Sequence, residues 1–293
     1  MAGVPLRGRT DAIPPQVLLL IGIASVQFGA AFAHTLFGKA GPAGVVLLRL
    51  AFAALLLLAL TRPRLAGRSR ADLLAAAGFG LTLACMNWSF YESLHRLPLG
   101  AAVTVEFLGP LGVAVAGSRK LLDLIWVLLA GGGVALLALG GSGGELQLAG
   151  LLLAALAGAL WAAYILLSQR VGSRFAGLDG LAIAMALATV LMIPAGLVQG
   201  GSALLRPEVL VGGFWVAVLS SLIPYSLEIV SLRRLRASTF GLLMSLEPAV
   251  AALAGMLVLG QQPHLQTVLA IAMVVVASAG TTLEAHRQPV PLG

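Results

Sequence analysis

The chain of 293 residues is 59% hydrophobic and only 10% charged, with a mean hydropathy of +1.01. So little charge cannot cover the water-facing surface of a soluble protein, which carries about one quarter charged residues, and the composition points to an all-α polytopic membrane protein. The net charge of +7 does not argue for nucleic acid, because the basic residues lie between apolar runs. Cys85 is the sole cysteine, which excludes an intramolecular disulfide, a zinc cluster and a redox pair.

Ten apolar segments are each long enough to cross roughly 30 Å of hydrocarbon as a helix. They are predicted near 15–36, 43–61, 72–94, 98–117, 122–140, 148–168, 178–199, 209–230, 237–259 and 264–283. The first holds Gln27 at its centre. Arg7 and Arg9, an apolar core and Ala31-Phe32-Ala33 before His34 also fit a cleaved signal peptide, but the core is long for one. The second holds Arg49 in its outer third. In the third, Asn87 and Tyr91 stand four residues apart, and Glu92 lies near the end, where snorkelling explains it. The fourth carries Glu106 and Pro110, and the sixth Trp161, Tyr164 and Ser168 at helical spacing. Pro224, Tyr225 and Glu228 fall in the eighth, with Glu228 near its end. The ninth holds Ser245, Glu247 and Pro248.

The separators are short, so residues 1–293 read as one membrane domain. If the N-terminus is cytoplasmic, the inside segments hold fourteen Lys and Arg (Arg7, Arg9, Arg62, Arg64, Arg68, Arg70, Arg119, Lys120, Arg170, Arg174, Arg233, Arg234, Arg236 and Arg287). Only Lys39, Arg96 and Arg206 lie outside. This positive-inside bias places both termini in the cytoplasm, consistent with an even number of spans.

Self-comparison at an offset of 138 residues lays SLHRLPLGAAVTVEFLGPLGVAVAG (93–117) over SLRRLRASTFGLLMSLEPAVAALAG (231–255). Ser93, Leu94, Arg96, Leu97, Pro110, Ala114, Ala116 and Gly117 meet Ser231, Leu232, Arg234, Leu235, Pro248, Ala252, Ala254 and Gly255. Phe28 aligns with Trp161, and Gly44 with Gly180, at slightly different offsets. Two five-helix units, 15–140 and 148–283, are therefore expected. Five spans is an odd number, so the copies enter the membrane inverted, an arrangement suited to alternating access around a midplane site.

Central charges in hydrocarbon cost about 2.5–3.5 kcal/mol and should face the interior. Glu106 and Glu247 are offset by one helical turn in symmetry-related spans, so both can face one cavity and bind a solute's ammonium group or a coupling proton; each can equally be a neutral acid bonded to a neighbouring helix. Pro110, Pro248 and Pro224 can bend their helices and free carbonyls. Gln27, Asn87, Tyr91, Trp161, Tyr164, Tyr225 and Ser245 would supply the polar and aromatic lining that an amphipathic solute requires. No HExxH motif, Walker A loop or paired-Asp motif is present. No metal, cofactor or enzymatic activity is expected, and a gradient or a partner must drive transport.

The runs ACMNWSFYESLHRLPLGAAVTVEFLGPLGVAVAGSR, LIPYSLEIVSLRRLRASTFGLLMSLEPAVAALAGMLVLG and GVVLLRLAFAALLLL closely resemble the EamA-type drug/metabolite transporters. PYSLE and MSLEP are the specific segments, and the similarity covers nearly the whole chain. Within the superfamily it is most like the bacterial inner-membrane exporters of threonine and homoserine. The resemblance implies ten helices in two inverted five-helix repeats and efflux of small amino acids in exchange for protons. The matched positions include Arg49, Asn87, Glu106, Pro110, Tyr225, Glu228, Glu247 and Pro248. One departure stands out: Leu259-Gly260-Gln261 replaces the Leu-Gly-Glu that often ends the ninth span.

Overall fold

The computed structural model describes residues 13–63, 68–116, 121–139, 148–175, 177–232, 234–235 and 237–286. Arg7, Arg9, Arg64, Arg119, Lys120, Arg233, Arg236 and Arg287, on which part of the charge asymmetry rests, lie outside these residues, as does Gly117. The described chain is helical almost throughout and contains no strand.

The first half comprises α1 (Pro15–Thr35), α2 (Phe37–Thr61), α3 (Arg70–Leu94), α4 (Leu99–Glu106), α5 (Leu108–Ala116) and α6 (Leu121–Leu139). The second comprises α7 (Leu148–Arg174), α8 (Asp179–Gly200), α9 (Pro207–Ala217), α10 (Ile223–Leu232), α11 (Ala237–Met244), α12 (Glu247–Leu259) and α13 (Leu265–His286). Local sequence sets several boundaries. Pro15 and Pro207 open their helices, where a missing N–H leaves nothing unpaired. Ser69 and Asp72 form a reciprocal capping box at the start of α3. Gly41, at φ 67°, kinks α2 just before Pro42.

Among the described residues, eight helical segments are long and apolar enough to cross a bilayer, and shorter apolar helices, Leu99–Val113 and Leu124–Leu137, fall where the fourth and fifth spans were expected. The outer surface is apolar: Val198 is 86% exposed, Leu74 71% and Leu257 68%. In water such a surface would aggregate; against lipid it is ordinary.

Three of the predicted spans are interrupted. Phe107 separates α4 from α5, Ser245 and Leu246 separate α11 from α12, and a π-helical turn, Val218–Leu222, separates α9 from α10. The prolines stand just after these breaks. Pro110 is the third residue of α5, Pro224 the second of α10 and Pro248 the second of α12. Each lacks the N–H that would reach the carbonyl four residues back. Glu106, Ser220 and Met244 are those carbonyls, and each lies at or before the break.

α2 runs along α8, α3 along α7, and α1 along α9 and α10, while α4 meets α12 and α6 meets α13. Glycine permits the closest approach. Gly109 of α5 and Gly158 of α7 face each other so tightly that a β-carbon on Gly158 would lie 2.6 Å from the Glu106 carbonyl oxygen.

At one end of the bundle Arg174 pairs with Asp72 at 3.1 Å and Arg68 with Asp179 at 4.0 Å. Arg68 also lies over the Phe175 ring and donates to the Arg174 carbonyl at 3.0 Å. At the opposite end Glu92 accepts from Arg96 at 2.6 Å and from Gln199 at 2.7 Å. There the Gln261 side-chain oxygen accepts from the Leu99 N–H at 3.0 Å, satisfying an otherwise unpaired donor at the start of α4.

Candidate functional site

The helix breaks converge on a cavity of about 610 Å³, within the range of small-molecule sites. Gln27 reaches it from α1, Arg49 from α2 and Asn87 from α3. Glu106 and Pro110 come from the first break, Trp161 and Tyr164 from α7, Pro224, Tyr225 and Glu228 from α10, and Glu247 from the second break. Most of the predicted lining is thus brought together, including Glu228, which the sequence placed near a span end.

Four predicted residues are not on the wall. Tyr91 is fully buried behind Arg49, whose Nη1 donates to its hydroxyl at 3.2 Å. The Ser245 hydroxyl donates to its own helix, to the Leu242 carbonyl at 2.6 Å. Pro248 is buried in helix packing, and Glu92 belongs to the cluster with Arg96 and Gln199. Conversely, Met86, Phe90, Phe107, Phe240, Ser278 and Thr282 line the cavity without having been singled out.

The polar groups are sorted by chemistry. Glu106, Glu228 and Glu247 provide carboxyl groups, and Gln27 Nε2 lies 3.4 Å from Glu247 Oε2 as its donor. Arg49 is the cation. Its Nε donates to Ser221 Oγ at 3.3 Å and its Nη2 to the Ser220 carbonyl at 3.0 Å. Pro224, four residues on, has no N–H to donate to that carbonyl, which leaves it to Arg49. Asn87 spends its amide on the Leu83 carbonyl, 2.8 Å away. Two buried polar atoms on the wall, Gln27 Oε1 and Ser220 Oγ, have no hydrogen-bond partner among the described residues.

A smaller pocket of about 200 Å³ shares Tyr164, Ser168, Tyr225 and Glu228 with the main cavity and extends to Phe175, Gly177 and Leu178. It points toward the Arg68, Asp72, Arg174 and Asp179 cluster. Phe79 stacks on Tyr164 with ring centroids 5.1 Å apart, holding that aromatic in the shared wall. No group of three or more His, Cys, Asp or Glu able to hold a metal occurs among the described residues.

The EamA-like transporter family profile matches residues 148–283. The chain is 44% identical over 289 residues to the threonine/homoserine exporter RhtA of Salmonella typhimurium (strain SL1344), covering 96% of this chain and 97% of that protein. It is 43% identical over 278 residues to the threonine/homoserine exporter RhtA of Escherichia coli (strain K12), covering 94% and 93% respectively. Among solved structures, a crystal structure titled only as that of a protein shares the fold with a TM-score of 0.64 at 20% identity, over 92% of this chain and 98% of that one.

Proposed function

Because this chain belongs to the EamA-like transporter family, we propose that it exports small amino acids of the threonine and homoserine type across the bacterial inner membrane in exchange for protons. It is a transporter and not an enzyme. The observation that carries the substrate reading is the cavity with carboxyl groups from two of the interrupted spans, Glu106 and Glu247, beside amides and aromatic faces. A carboxylate can hold either the substrate ammonium or a proton, and exclusive occupancy gives exchange.

Alternating access rests on two inverted five-helix units, 15–140 and 148–283. Helix pairing supports this reading. Exchanging the units turns the contact of α3 with α7 into that of α1 with α9 and α10 and the contact of α5 with α7 into that of α12 with α1, and leaves α2 with α8 and α6 with α13 as partners. Both termini then lie on one side of the membrane, and the Lys and Arg bias makes that side the cytoplasm.

Proteoliposomes holding the full chain test this directly. Labelled homoserine or threonine should exchange across the membrane, and an imposed pH gradient should drive net flux. Exchange without a response to the gradient overturns proton coupling, and no exchange of either amino acid overturns the substrate class. The apolar share of the wall, with Phe90, Phe107 and Trp161, favours a second reading in which bulkier metabolites or drugs are carried. A growth-protection panel of amino acids and hydrophobic cations separates the two.

A further inference from the structure

Arg49 is buried at 7% exposure in a span that must cross hydrocarbon, yet none of the ion pairs among the described residues involves it. A desolvated guanidinium without a carboxylate is costly. The Glu106 carboxyl acts on it electrostatically without pairing, and the groups that bond it are neutral: Tyr91 from α3, Ser221 Oγ and the Ser220 carbonyl from the π-helical turn, with the Tyr91 ring 5.5 Å away. These three acceptors fix the plane of the guanidinium and engage three of its five N–H groups. One N–H remains on each terminal nitrogen, the pair that a carboxylate takes in a two-pronged contact.

Ser220 adds a second, independent sign. The residue lines the cavity, and its buried hydroxyl has no hydrogen-bond partner among the described residues, while its carbonyl is engaged by Arg49. The hydroxyl packs against Gly29 of α1, and two residues earlier on the same helix Gln27 presents its own unpartnered oxygen and donates to Glu247. Donors at Arg49 and Ser220 therefore share one cavity with acceptors at Gln27, Glu106 and Glu247.

We propose that Arg49 and the Ser220 hydroxyl form the subsite for the substrate's carboxylate, with the guanidinium pre-oriented by Tyr91 and the π-helical turn of α9–α10. This rests on the amino-acid reading above and adds to it which end of the solute each wall receives. Selectivity then depends on the carboxylate as much as on the ammonium.

The test is counterflow of labelled homoserine in proteoliposomes, with competition by homoserine, by 3-aminopropan-1-ol (the same molecule without its carboxylate) and by 4-hydroxybutanoate (without its ammonium). Wild type should be inhibited by homoserine at concentrations at least about tenfold below those needed of the amine, a discrimination of about 1.4 kcal/mol. In Arg49→Gln that ratio should collapse while inhibition by the amine is unchanged, and Arg49→Lys should recover only part of it. Ser220→Ala should weaken homoserine and 4-hydroxybutanoate together and spare the amine. Equal inhibition of wild type by homoserine and the amine overturns the proposal, as does an unchanged ratio in Arg49→Gln. If Arg49→Gln does not purify as a folded protein, the wild-type ratio and Ser220→Ala decide. If wild type exchanges no amino acid, the functional reading fails, and thermal stabilisation of the purified chain by 4-hydroxybutanoate against its amide decides the subsite. Stabilisation by the acid alone, lost in Ser220→Ala, supports the subsite; equal stabilisation by both overturns it.

Discussion

The two interrupted spans that face each other across the cavity carry their acids on opposite sides of the interruption. Glu106 ends α4, whereas Glu247 begins α12. At the 138-residue offset Glu106 corresponds to Met244 and Glu247 to Gly109. Packing explains why the acids do not match. Gly109 lies against the Gly158 backbone, so the position equivalent to Glu247 has no room for any side chain. The surroundings differ in kind as well. Glu106 stands among the last carbonyls of a helix, with its own carbonyl released by Pro110, a setting that favours a cation. Glu247 stands where backbone N–H groups begin a helix and has Gln27 as donor. Duplicated elements can thus be given unequal tasks: in the exchange proposed above, Glu106 would take the substrate ammonium and Glu247 the coupling proton.

Glu247→Gln tests that division most sharply. Its pH-driven homoserine flux should fall about a hundredfold, near 2.7 kcal/mol at 1.36 kcal/mol per decade, with exchange at equal pH far less affected. Glu106→Gln should raise the half-saturating concentration and leave the response to pH in place. Identical phenotypes would erase the distinction.

Next in size is the glycine contact that forces the asymmetry. Gly109→Ala should lower stability in detergent by about 1–3 kcal/mol, as overpacking does. Gly112, in the same helix, has open space around it, and Gly112→Ala should gain up to about 1 kcal/mol from helix propensity. A thermal melt of both proteins compares them.

Smaller effects are expected from what lies around the breaks. Gln261→Leu removes the acceptor for the Leu99 N–H and should cost about 1 kcal/mol, whereas Gln261→Glu should be close to neutral. The missing carboxylate of the ninth span is thereby accounted for as a cap that an amide also provides. Pro248→Ala should change stability by less than about 1 kcal/mol, because it restores at most one hydrogen bond across the break, toward the Met244 carbonyl, at a first-turn position where proline is well tolerated. Thermal melts measure both, and a large loss of transport in Pro248→Ala would restore a bending role to that residue.

Hydropathy made the spans legible in order, and the acids and prolines marked where two of them break. The cavity lining was readable wherever a polar or aromatic residue stood out against an apolar run, as with Gln27, Asn87, Trp161 and Tyr225. The setting of Arg49 was not. A π-helical turn has no period of its own in so short a stretch, so nothing in VLSSLIP announced that the Ser220 carbonyl would turn toward another helix. Ser278 and Thr282 were inconspicuous for a related reason. Hydroxyls in helices commonly bond their own backbone, as Thr282 does to the Ser278 carbonyl at 2.9 Å, so their presence in a span carries little information. Glu92 and Glu228 looked alike in sequence, both near span ends. Only the tertiary contacts separate a rim residue tied to Arg96 and Gln199 from one on the cavity wall.

The ion pairs below the smaller pocket have a kinetic consequence. Arg174 is 43% exposed in its pair with Asp72, and the Arg68–Asp179 pair is also partly solvated. Exposed pairs of this type are weak fastenings. Thermal agitation undoes such a fastening continually. In the alternating access proposed above, opening at this end would not set the turnover time, and its pairs, standing in water within a Debye length of about 8 Å at physiological ionic strength, would weaken as salt rises.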